Sequence, residues 1–300
     1  MHVVLVHLGK HFPEHIFDCI EQIRLFNPED ECTVHLLVQT DNYEKLKINE
    51  KIYNFGNIKI INCDLNTHSL LHKQFNQTSH LDKNYRDGFW HLCAERFFSM
   101  YDYLYEEKLH DIIHMEYDNL LFINLEKYAS VFRNKYSFSA GIVDSNTHCL
   151  ASFMYFKNSD ALFFLLQFMC KYISHFSDEM KLLGAYCNTF PMYIDKLPVL
   201  TKDYASKLNC DIDRYSNNID DFNIIFDGRC IGQYICGVDP RNEPGDTCGF
   251  VNKEVAFMAD QIDINWQKVD NKYIPFACGI PVANIHVHSK DLKRWMSNRK

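Results

Sequence analysis

At 300 residues, with 47% hydrophobic and 23% charged side chains, the chain is long enough for a sizeable buried core and has the makeup of a soluble globular protein. Its net charge of −8 excludes a general nucleic-acid or membrane-surface role, since both need basic patches and the one basic cluster (Lys290, Lys293, Arg294, Arg299, Lys300) lies at the end. Twelve cysteines without a C-x-x-C pair argue against a structural zinc site and for free thiols in a reducing, cytoplasmic compartment.

Val3 to Leu8 reads as a first strand, too short for a signal sequence or a membrane span. Pro13 suits a first helical turn, and Ile16, Cys19, Ile20, Ile23 and Phe26 recur at helical spacing until Asn27-Pro28. Val34 to Val38 and Lys59 to Ile61 read as the next strands. The opening is therefore strand, helix, strand, connection, strand, the pattern of a parallel sheet with crossover helices. Neither G-x-G-x-x-G nor a P-loop sequence is present, which disfavours dinucleotide-dependent dehydrogenases and P-loop NTPases. His68 to Arg86, with His68, His72 and His80 at irregular spacing, reads as a polar surface loop. A helix follows, with Trp90, Ala94, Phe97, Tyr101 and Leu104 on one face.

The apolar run Ile112 to Met115 then meets Glu116-Tyr117-Asp118 before the chain turns apolar again at Leu120. In an extended segment residues i and i+2 point the same way, so Glu116 and Asp118 are expected to present two carboxylates to one hard cation. A strand end is also where open α/β sheets bind ligands. The competing reading is a solvated acidic turn.

Tyr136 to Val143 and Ala151 to Lys157 read as strands, and Ser159-Asp160 opens a buried helix, Leu162 to Ile173. Ser177 is the expected N-cap of the next helix, with Asp178 and Glu179 in its first turn. Beyond Met192 further strands and loops are expected. Phe226 to Asn242 holds three glycines among apolar residues, with Gly245 and Gly249 following, and predicts tight turns. Asp227 and Gln233 there lie in a polar-apolar mix that fits either the lining of a site or tight turns alone. Cys230, Cys236 and Cys248 lack zinc spacing. Asn284 to Lys290 reads as a late strand with His286 and His288 on one face.

Glu116-x-Asp118 resembles the metal-binding D-x-D motif of GT-A-fold glycosyltransferases, with Glu in place of the first Asp. His286, with Ser289 in place of Gly, and Lys290 resemble the late His-x-x-Gly-x-x-Lys segment of the glycogenin type. Leu150 to Asn158 resembles that fold's N-S-G-x-x-x-x-N segment, with Ala151-Ser152-Phe153 standing where Asn-Ser-Gly would be, and Asp178-Glu179 resembles its D-Q-x-x-L-N turn. The resemblance implies one α/β domain of GT-A type over residues 1–300. Its mixed, mostly parallel central sheet is flanked by helices, with a Rossmann-like nucleotide-sugar half at 1–125 and an acceptor half at 126–300. It also implies a transferase moving a sugar from a nucleotide sugar, UDP-linked, to a glycan, protein or lipid hydroxyl, with Mn²⁺ or Mg²⁺.

The implied metal ligands are Glu116, Asp118, His286 and His288. The implied donor contacts are His7, Leu8, Arg96, Glu116, Tyr117, Asp118 and Lys290, although Arg96 reads equally as an ion-paired or snorkelling helix residue. The implied catalytic carboxylate is Asp178, Glu179 or Asp227, with helix capping the rival use of the first two. The alternative functions are a sugar-phosphate nucleotidyltransferase, of whose Gly-rich loop Val6 to Lys10 is a poor version, and a degenerate, glycan-binding relative.

Overall fold

Alternating apolar residues decide the two faces of the central sheet. β1 (His2–His7) turns Val3 and Leu5 to one buried layer and Val4 and Val6 to the other, so both faces need a cover. The computed structural model, which describes residues 1–239 and 255–298, supplies that cover with helices. The chain runs on through α1 (His15–Phe26), β2 (Thr33–Val38), α2 (Thr40–Lys47), α3 (Glu50–Tyr53), β3 (Ile58–Asn62), α4 (Leu70–Thr78), α5 (Phe89–Glu107) and β4 (His110–Met115). Then come β5 (Asn119–Leu121), α6 (Ala129–Lys135), β6 (Ser139–Val143), β7 (Cys149–Asn158), α7 (Ser159–Tyr172), α8 (Glu179–Thr189) and β8 (Ile194–Lys196). Four short helices follow, α9 (Lys202–Lys207), α10 (Ile212–Tyr215), α11 (Ile219–Phe222) and α12 (Cys230–Cys236). The chain ends through β9 (Ile264–Val269), β10 (Lys272–Ala277), β11 (Ile280–Pro281), β12 (Asn284–His286) and α13 (Leu292–Trp295).

The seven-stranded sheet has the order β3-β2-β1-β4-β7-β6-β8. The first four of these are parallel, β7 is antiparallel to both its neighbours, and β8 is parallel to β6. This is a mixed, mostly parallel α/β sheet flanked by helices, as the element order implied. One layer packs Ile16, Ile20 and Ile23 of α1 with Phe132 of α6; the other packs Phe97 and Leu104 of α5 with Leu162, Leu166 and Leu182 of α7 and α8. β12 pairs antiparallel with β5, setting His286 opposite Asn119 and so bringing a late segment to the end of β4. No helix among the described residues is long and apolar enough to cross a membrane. Every described cysteine is a free thiol.

The structure departs from the sequence reading in four places. The expected loop at His68 to Arg86 contains α4, whose N-cap Ser69 accepts the His72 amide at 3.2 Å and whose Phe75 stacks on Phe98 at 4.4 Å. Its polar composition hides a helix because one inward residue, His72, is satisfied by carboxylates of another helix. The strand expected from Tyr136 begins at Ser139, since Tyr136 ends α6 and its hydroxyl donates to the Lys196 carbonyl at 3.1 Å. After Met192 the expected strands are present as β8 to β12, but residues 202–236 form short helices, opened by caps such as Thr201 and Asp211 whose side chains accept backbone amides. Among the described glycines of the Phe226 stretch, Gly237 has positive φ, whereas Gly232 lies inside α12. Gly245, Gly249, Cys248, Arg299 and Lys300 lie outside the described residues.

Gly184 shows how tightly α8 meets the β6–β7 connection: a Cβ there would lie 2.1 Å from the Thr147 carbonyl oxygen. Backbone has to give way, so Gly184→Ala is expected to destabilise the protein by about 1–3 kcal/mol despite the better helix propensity of Ala. A denaturant melt checks it, and a stabilised variant contradicts the packing.

Candidate active site

Ile113 and Met115 of β4 enter one buried layer and Ile112 the other, so the next residue, Glu116, turns toward the α5 side. There Arg96 Nη1 donates to Glu116 Oε1 at 2.6 Å. The Asn119 amide donates to the Glu116 carbonyl at 3.1 Å, closing a four-residue turn. The acidic pair therefore sits on a turn, the competing reading of the sequence, and not on an extended segment. What brings the two carboxylates to one point is β12. The Val287 amide donates to the Asp118 carbonyl at 2.8 Å. His286 Nε2 lies 3.2 Å from Asp118 Oδ2 and 3.4 Å from Glu116 Oε2. One ligand atom from each of Glu116, Asp118 and His286 falls within 4.8 Å of the others.

Surrounding groups hold these three in place. His286 Nδ1 is 2.7 Å from the Gly228 carbonyl. That contact makes Nδ1 the protonated nitrogen and turns Nε2 toward the carboxylates, the usual second partner of a metal-ligating histidine. Asn284 donates to Asn119 Oδ1 and to the Asp227 carbonyl, both at 2.8 Å, and Asn119 donates to the Ser152 carbonyl at 3.0 Å. α12 comes so close behind that a Cβ on Gly232 would lie 2.0 Å from the His286 carbonyl oxygen. Two carboxylates and one oriented imidazole are a donor set that fits a divalent cation.

Burial opposes charge on all three ligands, and their partners outweigh it. His286 and Lys290 hold the Asp118 carboxyl well below the usual range, and Arg96 and His286 lower that of Glu116. His286 is raised to about 9 against burial by the Asp118 and Glu116 charges. The Lys290 ammonium bonds Asp118 Oδ2 directly. Arg96 Nη2 also donates to Glu179 Oε1 at 3.2 Å, so one buried guanidinium ties the acidic turn to the start of α8.

Burial pushes Glu179 up to about 7 despite Arg96. The folded chain then holds this proton more tightly than the unfolded chain. Stability contributed by the protonated form is complete below pH 4.5 and is lost as pH rises to about 7. Glu179→Gln is expected to remove this dependence, so its stability relative to the parent rises by about 3 kcal/mol between pH 4.5 and 7. Urea unfolding in EDTA at both ends of that range tests it, and parallel profiles contradict it.

The other expected site residues have varied placements. Tyr117 hydrogen-bonds His7 Nδ1 at 3.1 Å; burial lowers His7 to about 4, which keeps that imidazole neutral. Leu8 is partly buried against the α5-side layer. The His288 ring lies against that of His286, tilted by 33° with centroids 3.9 Å apart, is held far below its ordinary value by burial, and is not among the converging ligand atoms. Asp178, and not Ser177, is the N-cap of α8: its Oδ1 accepts the Lys181 amide at 3.0 Å and its Oδ2 the Ser177 hydroxyl at 2.6 Å. Both Asp227 oxygens are likewise engaged, Oδ1 by the Ile231 amide and Oδ2 by those of Gly232 and His286. Gln233, in α12, is partly buried.

Sequence reasoning missed the buried Asp144–Arg229 pair, with Nε 2.7 Å from Oδ2, beside the Gly228 carbonyl that orients His286. Its signal was the same as at Glu116, an acid directly after an apolar strand.

The chain matches no protein-family model and no curated protein. Among solved structures it is similar to apo mouse xyloside xylosyltransferase 1, with 12% identity, a TM-score of 0.48, and 71% of this chain and 92% of that chain covered. It is also similar to the galactosyltransferase LgtC in complex with donor and acceptor sugar analogs, with 10% identity, a TM-score of 0.43, and coverage of 69% and 78%. A cytidylyltransferase from Leptospira borgpetersenii serovar Hardjo-bovis follows, with 11% identity, a TM-score of 0.38, and coverage of 66% and 74%. These are likenesses of fold; donor, acceptor and metal do not pass from them to this chain.

Proposed function

We propose that this chain is a metal-dependent glycosyltransferase that moves a sugar from a nucleotide sugar, UDP-linked, to a hydroxyl of a glycan, protein or lipid acceptor. The observation that carries this reading is the convergence of Glu116 Oε2, Asp118 Oδ2 and an oriented His286 Nε2 at the end of β4. In this reading those three hold the cation, and the imidazole favours Mn²⁺ over Mg²⁺. A bound divalent cation supplies charge neutralisation to a diphosphate leaving group.

The chain's own groups do the rest. Lys290, now on Asp118, lies within reach of the same charge and adds a charge-assisted bond to the diphosphate. Arg96 keeps Glu116 aimed at the metal and keeps Glu179 beside it. Glu179 is the catalytic carboxylate favoured here over Asp178 and Asp227, whose oxygens are already engaged. Its Oε2 is buried without a hydrogen-bond partner and its proton is exchangeable near neutrality, which suits a bond to a sugar or acceptor hydroxyl. Tyr117 and the neutral His7 form the wall behind the turn.

Thermal stabilisation by UDP, GDP and UDP-sugars, each with and without Mn²⁺, tests the reading. A ligand at a hundred times its Kd stabilises by about 2.7 kcal/mol, several degrees of Tm. A Mn²⁺-dependent rise with uridine nucleotides is the expected result. No rise with any nucleotide sinks the proposal, and a rise with GDP alone corrects the base.

A further inference from the structure

The α5-side layer holds a second cluster of ionisable side chains that the proposed transfer does not use. His68 precedes α4, His72 lies in its first turn and Asp102 lies on α5; one ligand atom from each falls within 4.8 Å of the others. His72 and Asp102 are 1% and 6% exposed, and the His68 ring stacks on that of His72 at 4.1 Å. Groups of this polarity are costly to bury unless their atoms are engaged.

Two of the three donors spend one atom on orientation and meet each other through the second, in a hydrogen bond that a bound cation would replace. Asp102 Oδ1 accepts the Ser69 amide at 3.1 Å, which leaves Oδ2 2.6 Å from His72 Nδ1. His72 Nε2 lies 3.2 Å from Glu95 Oε1, the carboxylate–imidazole contact that orients metal-ligating histidines. His91 Nε2 approaches the other Glu95 oxygen at 3.7 Å. Asp102 also lines a cavity of about 500 Å³ with Thr67, Ser69, Tyr101 and Phe163, which gives a fourth donor such as water room to enter.

We propose that His68, His72 and Asp102 form a second divalent-cation site, of the zinc class, that clamps α4 to α5. Two imidazoles and one carboxylate with an open fourth position are a zinc donor set, richer in nitrogen than the Glu116, Asp118 and His286 set. An ion bridge of His72 with Asp102 and Glu95 accounts for those three side chains but gives His68 no part. His68 therefore discriminates the two.

The experiment is the zinc content of the full chain after equilibrium dialysis against Zn²⁺, read by mass spectrometry, with Tm measured in Zn²⁺ and in EDTA. His68 is only partly buried, so His68→Ala is expected to keep its Tm in EDTA. It should hold one equivalent of zinc fewer than the parent and show a smaller zinc-dependent rise in Tm. Glu95→Gln is expected to weaken zinc binding about tenfold to a hundredfold. The Asp118→Asn chain, with the first cluster disabled, should still hold one equivalent. Equal zinc in the parent and His68→Ala overturns the proposal, and so does an Asp118→Asn chain that holds none. The latter decides the matter if His68→Ala does not fold. Because the His68→Ala difference is read whatever the first cluster binds, failure of the transferase reading leaves this result interpretable.

Discussion

Asp118→Asn is expected to lower metal-dependent turnover by about a hundredfold to a thousandfold, the usual loss when one preorganised group is removed from the place where transition-state charge develops. The side chain keeps its shape but loses the charge that Lys290 and His286 converge on. Glu116 alone then faces His286, with one of its oxygens already committed to Arg96. The Mn²⁺-dependent rise in Tm with nucleotide should disappear together with activity, while far-UV circular dichroism stays unchanged because the Asp118 carbonyl still accepts the Val287 amide. His288→Ala is the control. That ring lies against His286 but offers no atom to the cluster, so its loss should cost much less than the loss of Asp118. Full activity in Asp118→Asn sinks the assignment of Asp118.

The parts of this site that were legible in the sequence share a property: each is a chemical type set against an apolar background. Ile112 to Met115 marks a strand, and acids at its end stand out. Ile285 and Val287 frame His286 in the same way. The first three strands and α1 were legible for the same reason, since a period of two or of 3.6 can be counted along the chain.

What was not legible depends on contacts between distant elements. That Arg96 faces Glu179 as well as Glu116 follows from α5 and α8 meeting on one side of the sheet. The use of Asp227 as a strut for α12 and β12 follows from where β12 lands. α4 was read as a loop because a histidine on the inner face of a helix breaks the apolar period. Only the approach of Asp102 and Glu95 makes that burial tolerable.

The second large effect is expected at Arg96, and it is first an effect on folding. Arg96 is 7% exposed and sits between Glu116 and the 4% exposed Glu179. Arg96→Ala leaves two carboxylates facing each other without their cation. Breaking a buried ion pair from one side costs about 3–5 kcal/mol, because the remaining charge is uncompensated. The loss should be partly relieved as pH falls toward about 7, because without the lowering effect of Arg96 the Glu179 carboxyl takes its proton above the parent's value and becomes neutral. Replacing the pair together, as Arg96→Met with Glu179→Leu, should recover most of the stability, since a buried ion pair and a well-packed apolar pair of similar volume are often close in free energy. Activity should not return in the double variant, because Glu116 loses its orienting bond and the carboxylate proposed to face a hydroxyl is gone. Urea unfolding and turnover measured on the parent, Arg96→Ala and the double variant separate the two roles. A double variant as unstable as Arg96→Ala would mean that the guanidinium holds the turn by its shape and hydrogen bonds more than by its charge. A double variant with full turnover would remove both Arg96 and Glu179 from the proposed chemistry.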